Sequence, residues 1–296
     1  MTDTFTLAHL SDPHLPPLPV ARLRDLAGKR ALGYINWIRN RHKYHRREVL
    51  DALVADMQAQ RPDHIAVTGD LVNLALEAEF TPAQVWLESV GTPQQVTVVP
   101  GNHDAYVRAT RHHFSGTFEK YLQGDAEAAG TPFPFVRRRG PLALIGVSSA
   151  VPTPPLMATG RLGRAQLDAL DRELAQLRPD EAFRVLLVHH PLQSTSRMKR
   201  LTDSKALRAV LKRRGVELVL HGHDHIHSTM WLEGVDRQIP VVGVPSASAL
   251  AHRHYPAAAY NLFSIARDGG KWHCVHTVRA IDADFRVKQI KQATLL

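Results

Sequence analysis

Seven short apolar runs recur along this chain, and five of them end on the same few residue types: Asp, Asn, His and Gly. The runs are FTLAHL (5–10), HIAVTG (64–69), QVTVVPG (95–101), LALIGVSS (142–149), FRVLLVHH (183–190), VELVLHG (216–222) and IPVVGV (239–244). Runs so short and so continuously apolar read as strands covered on both faces. Between them, 46–60, 76–90, 163–178 and 202–214 carry apolar residues at spacings of three and four, the pattern of helices packed along one side. Such alternation defines an α/β chain. Near the C-terminal end, YNLFSIA and WHCVHTVRAI flank Asp268-Gly269-Gly270, which predicts a hairpin and further antiparallel strands. No repeat, low-complexity tract or Pro/Gly/Ser-rich linker divides the 296 residues, so a single domain over 1–296 is expected.

The polar clusters at the run ends are Asp12-Pro13-His14, Gly69-Asp70, Gly101-Asn102-His103-Asp104, His189-His190-Pro191 and His221-Gly222-His223-Asp224-His225. The carboxyl ends of strands in α/β sheets form a common ligand edge, where residues distant in sequence can converge. Asp-x-His puts two donors on one side of the chain, and Gly-x-His does the same in the last cluster. Carboxylate oxygen mixed with imidazole nitrogen suits Mn, Fe or Zn, whereas Ca or Mg would call for oxygen almost alone. Gly69, Gly101 and Gly222 fit the tight turns such loops need.

Taken in order from Asp12 to His225, these clusters resemble the motifs of the calcineurin-like metallophosphoesterases. The resemblance implies a four-layer α/β/β/α sandwich of two mixed sheets, and a site with two divalent metal ions (Mn, Fe or Zn). One ion would be held by Asp12, His14 and His225, the other by Asn102, His189 and His223, with Asp70 bridging. His103 matches the family's catalytic histidine, acting in its protonated form on the leaving side, and Asp104 its orienting partner; His190 is then a filler beside His189. The implied reaction is hydrolysis of a phosphoester, most simply a phosphodiester, by a metal-bridging hydroxide. Alternatives are a hydrolase of the UDP-diacylglucosamine type at a membrane surface, against which His103 counts because the common form of that enzyme has Arg there, a nuclease, and a non-enzymatic scaffold.

Charge is distributed unevenly. Residues 21–47 hold nine Lys or Arg against the single acid Asp25, a local balance of +8 within a chain of net +9. A basic segment inside a near-neutral body points to a local anionic contact and not to a stable nucleic-acid partner. Leu23, Leu26, Ala27, Ala31, Tyr34, Ile35 and Ile38 recur there at helical spacing beside Trp37, a basic amphipathic pattern that Gly28 and Gly33 weaken enough to allow two short pieces. It reads as an insertion or cap at about 20–47 that meets an anionic phosphoester substrate, an anionic membrane surface, a second copy of the chain, or only the core. The lone Cys274 admits no internal disulfide, and no apolar run reaches membrane-spanning length, so a cytoplasmic protein, peripheral at the membrane if the segment meets lipid, is expected. His9 reads as a structural neighbour of the site, and Ser246–His254 as a loop that either lines the pocket or lies on the surface.

Overall fold

The computed structural model describes residues 4–296 apart from 27, 111 and 126–131. Its regular elements are β1 (Phe5–Leu10), α1 (Lys29–Arg39), α2 (Arg47–Ala59), β2 (His64–Val67), α3 (Glu77–Val90), β3 (Val96–Val98), the short α4 (His113–Thr117) and α5 (Glu119–Leu122), and β4 (Phe135–Arg139). They continue with β5 (Leu142–Gly146), α6 (Arg164–Gln176), β6 (Phe183–Leu187), α7 (Ser204–Arg214), β7 (Leu218–His221), β8 (Ser228–Glu233), β9 (Gln238–Gly243), β10 (Ala259–Asp268), β11 (Lys271–Ile281) and β12 (Val287–Thr294).

The strands form two six-stranded sheets, ordered β12-β11-β10-β1-β2-β3 and β4-β5-β6-β7-β9-β8. Both are mixed: β1, β2 and β3 run parallel while β10 to β12 are antiparallel, and β5, β6, β7 and β9 run parallel between antiparallel edges β4 and β8. The period-2 alternation of strand side chains then sorts the second sheet into two cores. Leu142, Leu144, Phe183, Val185, Leu187, Leu218 and Leu220 join the first sheet's residues in one cluster. Their neighbours Ala143, Ile145, Leu186 and Val219 join Leu167, Leu170 and Leu174 of α6 and Leu207 and Leu211 of α7. With α2 against β10 to β12 on the far side, the layers are α/β/β/α as expected.

The predicted hairpin is present. Asp268 pairs with Lys271 across Gly269 and Gly270, whose φ values of 52° and 81° suit a two-residue turn of the primed type. Cys274 is buried in β11, with its thiol pushed up to about 12 by burial. Strands β4, β8 and β12 had no sequence signal of the kind used above. All three are sheet edges that carry exposed residues, unlike the buried, apolar edge strand β3; β12, VKQIKQAT, is exposed along most of its length. Among the described residues no helix is long and apolar enough to cross a membrane.

Candidate metal centre

Parallel strands from both sheets deliver the clusters to one edge. The loop after β1 runs beside the loop after β2: the Asp12 N–H donates to Gly69, His14 to Asp70 and Leu15 to Leu71 at 2.9 to 3.0 Å. The Gly222 N–H donates to the His189 carbonyl at 3.0 Å, tying the β6 and β7 loops together. Gly69 has a φ of 93°, but Gly101 and Gly222 are needed for room. A Cβ on Gly101 would stand 2.2 Å from Asp70 Oδ1, and one on Gly222 would stand 1.9 Å from Ser11 Oγ. Five of the candidate ligands adopt positive φ: Asp12, His14, Asp70, His223 and His225, between 39° and 71°. Each such conformation costs on the order of 1 kcal/mol or more and persists where surrounding contacts impose it, as at sites shaped for a ligand.

Seven side chains converge in two groups. In the first, His225 Nε2 lies 3.1 Å from Asp12 Oδ1 and 3.3 Å from His14 Nε2. In the second, His189 Nε2 lies 3.2 Å from Asn102 Oδ1, 3.3 Å from His223 Nδ1 and 3.4 Å from Asp70 Oδ2. The same Asp70 oxygen is 3.7 Å from His14 Nε2.

The second group calls for positive charge at its centre. His189 Nδ1 is 2.7 Å from the Thr68 carbonyl and His223 Nε2 is 3.0 Å from the Lys199 carbonyl, so those nitrogens carry the protons. The opposite nitrogens therefore turn lone pairs towards each other and towards the oxygens of Asp70 and Asn102. Four acceptors facing inward are unstable without positive charge between them. Burial opposes protonation of His189, yet Asp70 and Asp12 outweigh it and push its pKa up to about 10. Carbonyl partners that fix the tautomer of each ring are the usual outer support of metal-binding histidines. The donor set and its orientation fit divalent metal ions.

His103 faces this centre. Its N–H donates to Asp70 Oδ1 at 2.7 Å and its Nδ1 donates to the Asn73 carbonyl. Arg41 Nη1, always a donor, stands 3.2 Å from His103 Nε2, which therefore accepts. His103 is neutral in this arrangement: burial, reinforced by Arg41 and opposed by Asp70, lowers its pKa to about 4. The fixed positive charge on this side is Arg41's, where the resemblance implied a protonated His103.

Asp104 corrects the resemblance. Its carboxylate does not orient His103 but accepts four backbone N–H groups, from Asp70 and Gly101 on Oδ2 (both 2.8 Å) and from Leu71 and Val72 on Oδ1 (2.9 and 3.1 Å). Burial and the nearby Asp70 raise its pKa, but four donors on two oxygens leave no acceptor for a carboxyl proton. It binds the β2 and β3 loops to each other, and the Asn73 carbonyl takes the role towards His103.

Arg41 comes from the basic segment, the part that motif reading left unassigned. The segment folds as a one-turn 3₁₀ helix (Leu23–Leu26), α1 and a second 3₁₀ turn (Arg41–Lys43), with Gly28 at φ 65° between the first two. Its expected apolar stripe does not make one buried face. Trp37 is buried and Tyr34 packs on the core, but Ile35 and Ile38 are half-exposed, Leu23 is exposed, and Ala27 lies outside the described residues. Basic side chains do the docking instead: Lys29 donates to Thr153 and the Met157 carbonyl, and Arg30 to the Leu74 and Ala75 carbonyls.

Other sequence readings resolve simply. His190 is a filler, bonded through Nδ1 to Ser149 (2.7 Å) and through Nε2 to the Ala158 carbonyl (3.2 Å). His9 sits in a buried network with Thr68 and Asn261. In the 246–254 loop, Ser246 donates to the Asp12 carbonyl (2.6 Å), Ser248 holds His45 (2.8 Å), and His252 and Arg253 line the cavity. His45 and Lys199 are further lining residues that no strand-end motif marked. The cavity over the centre measures about 440 Å³.

An α/β/β/α sandwich carrying a cluster of carboxylate, amide and imidazole donors on its strand ends is a fold and site suited to metal-dependent hydrolysis. Residues 5–227 match the calcineurin-like phosphoesterase family, to which this chain belongs. A probable cyclic nucleotide phosphodiesterase of a Synechococcus strain is 26% identical over 228 residues, covering 75% of this chain and 74% of that protein. Among solved structures, a purple acid phosphatase from yellow lupin (Lupinus luteus) aligns over 99% of this chain with a TM-score of 0.63 at 11% identity. A sulfate thiohydrolase of Thermus thermophilus aligns over 96% with a TM-score of 0.53 at 17% identity. The chain spans only 54% and 56% of those two solved proteins, and at such identity they show the fold alone.

Proposed function

We propose that this enzyme is a phosphodiesterase working with two divalent ions, one held by Asp12, His14 and His225 and the other by Asn102, His189 and His223, with Asp70 shared. The observation that carries the reading is the position of Asp70 Oδ2, 3.7 Å from a nitrogen of the first group and 3.4 Å from one of the second. When bound, such ions neutralise phosphoryl oxygens and acidify a water, which makes a nucleophile available near neutral pH.

The chain's own residues do the rest. Arg41 offers a guanidinium to phosphoryl oxygens, a fork suited to phosphate geometry. As Arg41 turns to the phosphoryl group, His103 Nε2 is released to take a proton from water, which leaves hydroxide for the attack on phosphorus, and to hand that proton to the leaving oxygen. A diester is favoured over a monoester by the similarity to the Synechococcus relative, a probable cyclic nucleotide phosphodiesterase. The test is a panel with Mn added: bis-nitrophenyl phosphate, nitrophenyl phosphate, cyclic AMP, single-stranded DNA and UDP-diacylglucosamine. Faster turnover of diesters than of nitrophenyl phosphate is expected; preference for the monoester overturns the diester assignment, and preference for DNA or for the lipid-linked pyrophosphate selects one of those alternatives.

A second reading concerns residues 20–47, as a cap on one domain spanning the chain and as a peripheral contact of a cytoplasmic protein with anionic membrane. It is supported by half-exposed Leu32, Ile35 and Ile38 on the outer side of α1, with Arg22, Arg24, Arg39 and Lys43 exposed around them. Co-sedimentation with vesicles containing phosphatidylglycerol, absent with phosphatidylcholine alone and lost in Ile35→Ser with Ile38→Ser, is the expected result. Equal sedimentation of parent and variant removes the membrane contact.

A further inference from the structure

The guanidinium of Arg41 lines the 440 Å³ cavity, and its side-chain partners are two imidazoles. Nη1 stands 3.2 Å from His103 Nε2, and Nη2 stands 3.4 Å from His45 Nε2. Among the described residues no carboxylate lies within ion-pair distance of it; Asp70 and Asp12 attract it only from further away. Arginine donates and does not accept, so His45 Nε2 offers a lone pair and the ring proton is on Nδ1, 2.8 Å from Ser248 Oγ. The His45 ring is buried, lies nearly parallel to Trp37 with an interplanar angle of 11°, and meets the His14 ring edge-on with centroids 4.9 Å apart. Its backbone is clipped as well. The His45 N–H donates to the Arg41 carbonyl at 3.0 Å, the Arg46 N–H to Ser248 and the Leu250 N–H to Tyr44, both at 2.9 Å, and His45 bridges antiparallel to Ala249. Helix α1, which leads into this turn, is seated closely: a Cβ on Gly33 would stand 2.5 Å from both Leu74 Cδ2 and the Tyr106 hydroxyl. Arg41 and His45 therefore sit on one firmly held turn.

We infer that His45 is a positioning residue for Arg41: it aims the guanidinium into the cavity without neutralising it, so the charge stays available to an incoming oxyanion. The inference rests on Arg41 taking the phosphoryl group, as proposed above. A carboxylate in the place of His45 would pair with the guanidinium and cancel the charge that phosphoryl oxygens need. A neutral imidazole nitrogen supplies direction alone. Ser248 sets that direction, because its hydroxyl takes the Nδ1 proton and so turns the Nε2 lone pair to Arg41. When Arg41 leaves His103 for the phosphoryl group, Nη2 keeps its place on His45, and the side chain swings about a fixed point. Ser246 and Ser248 then have a shared purpose in the 246–254 loop: one holds the Asp12 carbonyl and the other holds the ring that aims Arg41.

The test uses the metal-loaded enzyme with bis-nitrophenyl phosphate and, separately, calorimetry of inorganic phosphate binding. His45→Leu should keep its metal and lower kcat/KM roughly 10- to 100-fold, the scale on which a small misplacement of a reacting group acts. His45→Gln, which returns an acceptor to the same place, should recover most of that loss, and Ser248→Ala should show a smaller loss in the same direction. The deciding readout is a cycle with Arg41→Gln: once the guanidinium is gone, His45→Leu should cost no more than about twofold further. If His45→Leu does not fold, Ser248→Ala carries the same cycle. An undiminished loss in the Arg41→Gln background, or loss of bound metal in His45→Leu, overturns the inference, because His45 then acts through His14 or the fold; so does His45→Leu at the parental rate. Phosphate binding gives an arm independent of turnover. It should weaken in Arg41→Gln and in His45→Leu alike, and no further in the double variant. That pattern without hydrolysis of any diester keeps the role of His45 and rejects the phosphodiesterase reading. Diester hydrolysis by the parent with additive losses in the cycle keeps that reading and rejects the role of His45.

Discussion

Replacing Asp104 by Asn separates two roles for one carboxylate: orienting His103, as the family resemblance implies, or holding the loops that carry Asp70 and Gly101. The substitution keeps the size of the side chain but leaves one carbonyl oxygen where there were two carboxylate oxygens. One pair of backbone donors, either Asp70 with Gly101 or Leu71 with Val72, would then face an amide NH2. A hydrogen bond to a charged acceptor contributes about 1.5–3 kcal/mol, so two lost bonds cost roughly 3–6 kcal/mol. That is a large share of the roughly 5–15 kcal/mol by which a folded protein is stable. At roughly 2–4 °C per kcal/mol, Tm should fall by roughly 6–24 °C. Because Asp70 is on the freed loop, bound metal should fall as well. The assay is thermal unfolding with and without chelator, together with elemental analysis of the purified variant. If Asp104→Asn melts within about 2 °C of the parent on that scale, keeps its metal and loses only turnover, the loop-holding argument is refuted.

Asp70→Ala should abolish activity and lower metal at both groups, whereas Asp12→Ala should affect one more than the other; two full equivalents in Asp70→Ala would sink the shared assignment. Arg41→Gln should retain metal and lose roughly 100-fold or more in kcat, the scale for removing a preorganised charge, while the exposed Arg39→Gln changes little; equal small effects would argue that Arg41 is only structural. His103→Ala should lose less on nitrophenolate than on alkoxide leaving groups, and equal losses would remove the proton-donor role. Remote from the site, burial and Arg137 lower His64 to about 3, and burial with Lys291 lowers His276 to about 4. The unfolded chain accepts those protons near pH 6.5 and the folded one does not, so this stability is present above about 6.5 and is lost as pH falls towards 4. Tm of His64→Gln, measured from pH 7 down to 4.5, should fall less steeply than that of the parent; parallel profiles would refute the argument.

The sequence by itself determined the α/β class, the central strands and the polar clusters that the fold brings together. Strands buried on both faces must be apolar throughout, and metal donors come from few residue types, so both leave marks that local reading recovers. Strands β4, β8 and β12 leave no such mark, because part of each faces solvent, which relaxes the demand. The pairing of His189 with His223 through lone pairs is set by the carbonyls of Thr68 and Lys199, which any residue could supply. Asp104 looked like part of a catalytic pair because it follows His103, but neighbours in an irregular loop point in different directions, and its carboxylate turned to the backbone. Arg41 looked like one cation among nine in a solvated segment. Only the docking of α1, fixed by the contact at Gly33 and the anchors of Lys29 and Arg30, decided that this one reaches His103. Local sequence records what a side chain can bind; which group it meets across 62 positions depends on how separately formed elements pack.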